Sequence, residues 1–342
     1  MSDINIDKLL EPVSDETACG DDLEYDPDFG ELERAAQGKE AHVMGEKEIA
    51  AEPPDWNEVF DAAEALLLRT KDLRVASYLA HASLNLHGIP GLAAGLKLVN
   101  DMAHRYWDEV HPQLDAEDDN DPTLRVNSLL DLNSANGFVG SLDHAVLVSS
   151  RSLGKFSMRH IRLSKGEISL PQGDDSEVPD PTHIEAAFLD CELDEITANS
   201  DAVDKCVGTL ADLADYTREQ VGIELAPDFS NLSAELKVVS GILREQLARR
   251  GVAVEPVEDA DGDGAAAPAA AVSGEIRTRE DAVRVLDKVS EYFRKNEPSS
   301  PVPLLLQRAK RLISMDFMEI LRDLTPQGVS EAETIGGLDR DD

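Results

Sequence analysis

The stretch Pro54-Asp-Trp-Asn-Glu-Val-Phe-Asp-Ala-Ala-Glu-Ala-Leu-Leu67 carries the pattern that decides the fold. Its apolar side chains recur at spacings of three and four residues, which places them on one face of a helix. That face consists of Trp56, Val59, Phe60, Ala63 and Leu67. Asp55 follows two prolines, and aspartate caps helix N-termini by accepting hydrogen bonds from backbone N–H groups. The stretch predicts an amphipathic helix that begins after Asp55.

The same period returns in three further stretches, each with one apolar face. They comprise Leu92, Leu96, Val99, Ala103 and Tyr106; Val203, Val207, Leu210, Ala214, Thr217 and Val221; and Leu232, Leu236, Val239, Leu243 and Leu247. Strand-like alternation is confined to residues 156–163 and 167–170, which predict one hairpin turning at 164–166. The sequence therefore predicts a mainly α, multi-domain helical protein with at most one short β-hairpin.

Two breaks in the periodicity divide the chain. Residues 171–181 contain three prolines and four acidic residues, which is typical of a solvated link. Residues 251–278 are acidic and then Ala-rich, and they carry too little apolar surface to offset the entropy of ordering. We therefore expect an N-terminal helical domain over 1–170, a middle helical domain over 182–250, a disordered linker over 251–278 and a C-terminal helical ring-assembly domain over 279–342.

Charge restricts the class of partner. The 342 residues include 69 Asp and Glu against 32 Lys and Arg, a formal net charge of −37, which argues against binding to a nucleic-acid backbone. No apolar run reaches the roughly 18 residues of a membrane span, and the N-terminus lacks the basic start of a signal peptide. We expect a soluble cytoplasmic protein without membrane insertion. Its three cysteines, Cys19, Cys191 and Cys206, are expected to be reduced, buried and apolar in role.

The C-terminal segment differs from the rest in charge and size. Residues 275–328 hold ten basic and nine acidic residues, and their helical stripes flank a turn at 296–301. So short a helical hairpin buries little apolar surface alone, so we expect it to associate with copies of itself. The hypothetical interface contains Tyr292, Phe293, Pro301, Val302, Leu305, Arg308 and Leu312. The alternative is that Glu297–Pro301 is ordinary turn chemistry with no interface role.

No catalytic or metal-binding signature is present in the sequence. There is no phosphate-binding loop, no nucleophile elbow and no His-Glu-x-x-His motif. Residues 259–264 match the start of a calcium-binding loop, but Ala270 stands where the bidentate Glu would be. We predict a non-enzymatic interaction protein without cofactor or metal. The alternative is an acidic chaperone or nucleic-acid mimic that binds a basic partner.

Several motifs go beyond periodicity. They are Ala18-Cys-Gly-Asp-Asp-Leu-Glu-Tyr-Asp26, Pro54-Asp-Trp-Asn-Glu-Val59, Leu66-Leu-Leu-Arg-Thr-Lys-Asp-Leu-Arg-Val75, Gly88-Ile-Pro-Gly-Leu92, Tyr106-Trp-Asp-Glu-Val-His-Pro112 and Tyr292-Phe-Arg-Lys-Asn-Glu-Pro-Ser-Ser-Pro-Val-Pro-Leu304. In this order they resemble the TssA family of bacterial type VI secretion systems, with its ImpA-type N-terminal domain, and the short C-terminal branch of that family. The family-motif residues expected to be structural are Gly20, Tyr25, Trp56, Asp72, Leu73, Arg74, Trp107 and Pro112.

The resemblance implies a function in assembly. It implies a baseplate-associated hub that primes polymerisation of the tail tube and sheath, on the cytoplasmic side of the machine docked at the inner membrane. It also implies a ring-like homo-oligomer, often sixfold, held by the C-terminal domain, with baseplate, sheath and inner-tube proteins as partners. From the residues themselves we expect Asp72 to cap a helix and Arg74 to pair with nearby acids.

Overall fold

A computed structural model describes residues 4–39, 42–44, 47–49, 53–115, 118–135, 137–170 and 177–252, and, further on, residues 286, 290, 302, 305–307 and 310. The chain divides into two compact units, 1–257 and 258–342. The predicted linker residues 253–278 and the interface residues Tyr292, Phe293, Pro301, Arg308 and Leu312 lie outside the described residues. Within the part that is described, no helix is long and apolar enough to span a bilayer.

The first unit is built mainly from helices, which confirms the predicted fold class. Its helices are α1 (Ile6–Leu9), α2 (Pro27–Gln37), α3 (Trp56–Leu67), α4 (Leu73–Tyr106), α5 (Thr123–Leu130), α6 (Phe138–His144), α7 (Met158–Lys165), α8 (Pro181–Asp190), α9 (Leu193–Val221) and α10 (Ser230–Arg249). A 3₁₀ turn, Asp131–Asn133, follows α5. The strands are β1 (His42–Met44), β2 (Lys47–Ile49), β3 (Val146–Ser150) and β4 (Gly154–Ser157).

Helix α3 begins where the sequence predicted. The Asp55 carboxylate accepts hydrogen bonds from the backbone N–H groups of Asn57 and Glu58, at 3.0 and 3.4 Å. Val59 and its apolar neighbours on the same face are buried, whereas Trp56 is half-buried at the start of the helix. The local cap and the apolar stripe therefore specify this helix together.

Helix α4 is interrupted at Gly88, where φ is 67° and ψ is −149°, a conformation open essentially to glycine alone. A Cβ added at Gly95 would overlap Ala80, although fifteen residues separate the two positions. The backbone N–H of Leu73 also donates to the carbonyl of His111, at 2.9 Å. Residues 73–87 and 89–106 are therefore two arms folded back on each other, and Gly95 allows their backbones to approach closely.

The strands form two antiparallel pairs, β1 with β2 and β3 with β4, where the sequence predicted at most one hairpin. The predicted position of the hairpin, over 156–163 and 167–170, was wrong. Residues 158–165 form helix α7, and β4 pairs with β3, which precedes it in the chain. Ser157 and His160 form a capping box that starts α7, and Gly166, with φ of 72°, ends it. These two local signals outweigh the alternation of apolar residues along 156–163.

The segment expected to be a separate middle domain packs directly on the first. The His104 ring in α4 stacks on the Tyr216 ring in α9, with centroids 3.9 Å apart, and Trp107 meets Tyr216 edge-on. Asn100 donates to the carboxylate of Asp212, at 2.8 Å. Residues 1–170 and 182–250 are therefore not two separate domains, because the buried stripes of α9 and α10 complete one core that runs from Ile4 to Leu247.

Candidate functional site

Three of the sequence motifs meet in one place, which we call the motif junction: residues 19–24, 69–74 and 106–112. The backbone N–H of Lys71 donates to the carbonyl of Cys19, at 2.7 Å, and the N–H of His111 donates to the carbonyl of Lys71, at 2.9 Å. The His111 Nε2 hydrogen-bonds the carbonyl of Gly20, at 3.1 Å. These bonds connect three chain segments that are far apart in sequence.

Gly20 is required at the junction for two reasons. Its φ is 69°, in the left-handed region, and a Cβ at this position would clash with the carbonyl oxygen of Arg69. Beside it, the Thr70 hydroxyl donates to the carbonyl of Asp21, at 2.8 Å. Glycine therefore permits the close approach that fixes the loop 21–26 against the end of α3.

Asp72 and Arg74 form the charged centre of the junction. The fully buried Asp72 carboxylate caps α4 by accepting from the Arg74 N–H at 2.8 Å, and it pairs with the Arg74 guanidinium at 2.7 Å. The same guanidinium reaches Asp22 at 3.2 Å and Glu24 at 3.1 Å, and it lies 4.9 Å from the centre of the Phe29 ring. These hydrogen-bonded carboxylates outweigh burial and raise the pKa of Arg74.

A second arginine fixes the other end of the loop 21–26, the acidic loop of the junction. Arg69 pairs with Asp28 at 2.6 Å and also with Asp26, whose carboxylate caps α2. Tyr25 stands between the two arginine-bound parts of the loop, and its side chain is 94% exposed. The expectation that Tyr25 is structural is corrected, because this side chain has almost no protein surface to pack against.

Arg125 supports the junction from α5, and sequence reasoning missed it. Its fully buried guanidinium donates to the carbonyls of Pro112 at 2.9 Å, Val110 at 2.7 Å and Trp107. The group also lies 4.9 Å from the centre of the Trp107 ring. Burial lowers the pKa of Arg125 to about 10, so the group stays protonated at neutral pH. One cation thereby satisfies three carbonyls where the chain leaves α4.

Lys71 is a second buried cation that the motif pattern did not single out. Its ammonium donates to the Leu67 carbonyl at the end of α3, at 2.8 Å. Burial lowers the pKa of Lys71 and raises that of the nearby Cys19 thiol to about 11. Cys191 and Cys206 are also free and buried, as predicted for all three cysteines. Such thiols are poor nucleophiles at neutral pH because little thiolate is present.

A histidine outside the motifs occupies an aromatic setting. The His81 ring lies 4.5 Å from the Trp56 ring and 4.5 Å from the Phe138 ring, centre to centre. Its Nε2 hydrogen-bonds the Ser141 hydroxyl at 2.8 Å, and Asn85 also donates to that hydroxyl, at 3.3 Å. Burial lowers the pKa of His81 to about 4. Periodicity could not reveal this residue, because its partners come from α3 and α6.

The remaining predicted site residues of the first unit occupy buried or half-buried positions. Leu73, Trp107 and Pro112 are buried at the junction, and Trp56 covers His81. In the second unit, Val302 is partly buried and Leu305 is 64% exposed. Among the described residues, no group of His, Cys, Asp and Glu is arranged to hold a metal ion.

Comparison with known proteins places this architecture in a family. A family profile for ImpA, N-terminal, type VI secretion system, matches residues 10–134. In an alignment of 344 residues, the chain is 41% identical to the type VI secretion system component TssA1 of Pseudomonas aeruginosa PAO1, and 98% of each chain is covered. This chain belongs to the TssA family. The family resemblance inferred from the motifs is thus confirmed.

A solved TssA structure shows the same fold in the first unit. It is the N-terminal domain, including the conserved ImpA_N region, of the TssA component of the type VI secretion system from Burkholderia cenocepacia. The TM-score is 0.60 at 23% identity, with 74% of this chain and 97% of that domain covered. The ImpA match at 10–134 contains the whole motif junction and Arg125. The residues that join the three motifs are therefore those of the family domain.

Proposed function

We propose that this TssA-family chain is a non-enzymatic, oligomeric hub at the baseplate of a type VI secretion system, where it primes assembly of the tail tube and sheath. The observation that carries the proposal is the 41% identity to TssA1 across 98% of both chains, which includes the segment beyond the first unit. The proposed partners are baseplate, sheath and inner-tube proteins, and the proposed location is the cytoplasmic side of the docked machine.

The chemistry of the motif junction supports an assembly role. Arg125 binds backbone carbonyls, and the Asp72 carboxylate serves as a helix cap and as a partner of Arg74. Among the described residues, these buried charges are engaged with the protein itself. A rigid N-terminal unit suits a scaffold that must present fixed surfaces to several partners.

Self-association through the second unit is supported by charge and exposure. Residues 275–328 carry nearly balanced charge, whereas the rest of the chain is strongly acidic. Copies of the chain would therefore approach most readily through this segment, because the acidic first units repel each other. Leu305, 64% exposed and in the predicted interface, is an apolar side chain that a neighbouring copy would cover.

The acidic-mimic alternative is less well supported. A mimic needs carboxylates aligned on one face to imitate a phosphate backbone. Here Asp26, Asp55, Asp72 and Asp180 instead accept hydrogen bonds at helix N-termini, which is a structural use of the charge.

Sedimentation velocity tests self-association on the full chain. We expect the wild-type chain to sediment as an oligomer and Leu305→Asp to shift toward the monomer, because a carboxylate would be buried against an apolar neighbour. Ile223→Asp, at an 80% exposed position of the first unit, is the matched control and should remain oligomeric. A monomeric wild-type chain at micromolar concentration would refute the oligomer.

Partner binding is tested separately by biolayer interferometry with purified inner-tube, sheath and baseplate proteins of the same secretion system. We expect measurable binding to at least one of them. If the full chain binds none, the hub function is wrong even if the chain is an oligomer.

A further inference from the structure

A groove lies between α2 and α3, beside the acidic loop of the motif junction. It has a volume of about 190 Å³. Its floor contains Ala35, Ala62 and Leu66, and acidic side chains of Asp28, Glu31 and Glu58 stand along it. A narrow apolar floor with acidic edges suits a Lys or Arg side chain, whose carbon stem packs on apolar surface while its charged end stays among carboxylates.

The net charge of the groove is negative despite the presence of Arg69. The Arg69 guanidinium is bound by Asp28 at 2.6 Å and by Asp26, so its charge is already compensated. Glu31 has only a distant ion pair with the exposed Arg34, at 3.9 Å, and the structure records no ion pair for the described residue Glu58. Two carboxylates therefore remain available to an incoming cation.

Tyr25 lies on a loop that is held at both ends and leads into α2, one wall of this groove. Asp26, its neighbour in sequence, is bound by Arg69, which itself lines the groove. On the other side, Arg74 holds Glu24. The loop backbone is thus fixed, while the Tyr25 side chain is 94% exposed. Because the backbone is already held, binding has to order only the side-chain torsions of Tyr25, which favours its use as an interface anchor.

We propose that the groove between α2 and α3 binds a Lys or Arg side chain of a protein partner, and that Tyr25 packs against the same partner beside it. The partner's docking surface is accordingly basic, with an apolar recess for the tyrosine ring. The first unit of a second copy fits poorly, because it is strongly acidic. The inference rests on the proposed function, since it specifies how the hub recognises one of its partners.

The test uses the full chain and the same purified inner-tube, sheath and baseplate proteins in biolayer interferometry. We expect Tyr25→Ala to weaken binding to one of them by about tenfold or more. Glu31→Gln with Glu58→Gln should weaken it several-fold and reduce its salt dependence, because two rim charges are removed.

The matched control is Glu33→Gln with Asp61→Asn. Both positions are exposed on the same two helices, neither lines the groove, and the change in net charge is identical. The control should bind like the wild type. Circular dichroism should show unchanged helix content for every variant, because each substituted side chain is exposed.

Each outcome of this experiment is decisive. If the wild type binds a partner and the Tyr25 and groove variants bind it as tightly as the control does, the groove proposal is wrong and the hub function stands. If the wild type binds none of the three proteins, the hub function fails and the groove proposal fails with it.

Discussion

Protonation of His81 should destabilise the first unit as the pH falls. The folded environment lowers the pKa of His81 from 6.5 to about 4, because burial between Trp56 and Phe138 penalises the charged ring. In the unfolded chain the same ring protonates near pH 6.5. The unfolded state therefore binds more protons between pH 6.5 and 4, and stability is full above this window and lost as the pH falls through it.

The size of the effect follows from the two pKa values. A shift of one pKa unit corresponds to about 1.4 kcal/mol. Across the whole pH window the free energy of unfolding should therefore fall by about 3 kcal/mol. Between pH 7.5 and pH 5 the expected loss in the free energy of unfolding is about 2 kcal/mol. That is a large share of the stability of an ordinary domain, so the unfolding midpoint should move visibly.

Urea unfolding of the full chain, followed by far-UV circular dichroism, measures this loss at the two pH values. His81→Phe keeps a ring between the aromatic neighbours but cannot titrate, so most of the loss should disappear in that variant. His160 retains a smaller contribution in both proteins, since burial also lowers its pKa. His183→Phe, at an exposed position, is the control and should lose as much stability as the wild type does. Equal losses in the wild type and His81→Phe would refute the reasoning.

Three further substitutions test the motif junction by urea unfolding. Arg125→Ala should lower the free energy of unfolding by about 3–5 kcal/mol, because three buried carbonyls lose their donor. Arg34→Ala, at an exposed site, is the control and should lower it by less than about 0.5 kcal/mol, and equal losses would contradict the role of Arg125. Gly20→Ala should cost about 1–3 kcal/mol from backbone strain and the clash at its Cβ, and an unchanged midpoint would rule that strain out. Asp72→Ala should cost about 2 kcal/mol through the lost cap and the lost partner of Arg74, and a cost below about 0.5 kcal/mol would contradict it.

Local signals in the sequence predicted the helices well. Asp55 and Asp72 cap the helices they precede, and the stripe from Leu232 to Leu247 is buried along α10. These features depend on contacts within a few residues. The sequence also predicted that Arg74 pairs with nearby acidic residues, and the structure identifies two of them as Asp22 and Glu24.

Ambiguous periods and long-range packing account for what was missed or misplaced. Residues 156–163 fit both a two-residue and a helical period, and the Ser157–His160 capping box with Gly166 decides for helix. The partners of Arg125 are carbonyls, which carry no sequence signal. The packing of α9 on α4 joins residues more than a hundred positions apart, so composition breaks in the chain could not reveal the shared core.

Electron micrographs of the purified full-length chain test the central claim most directly. If the acidic first units are carried on a self-associating C-terminal segment, the particles should be closed rings with peripheral arms. Isolated particles of a size that fits one 37.2 kDa chain would contradict the claim.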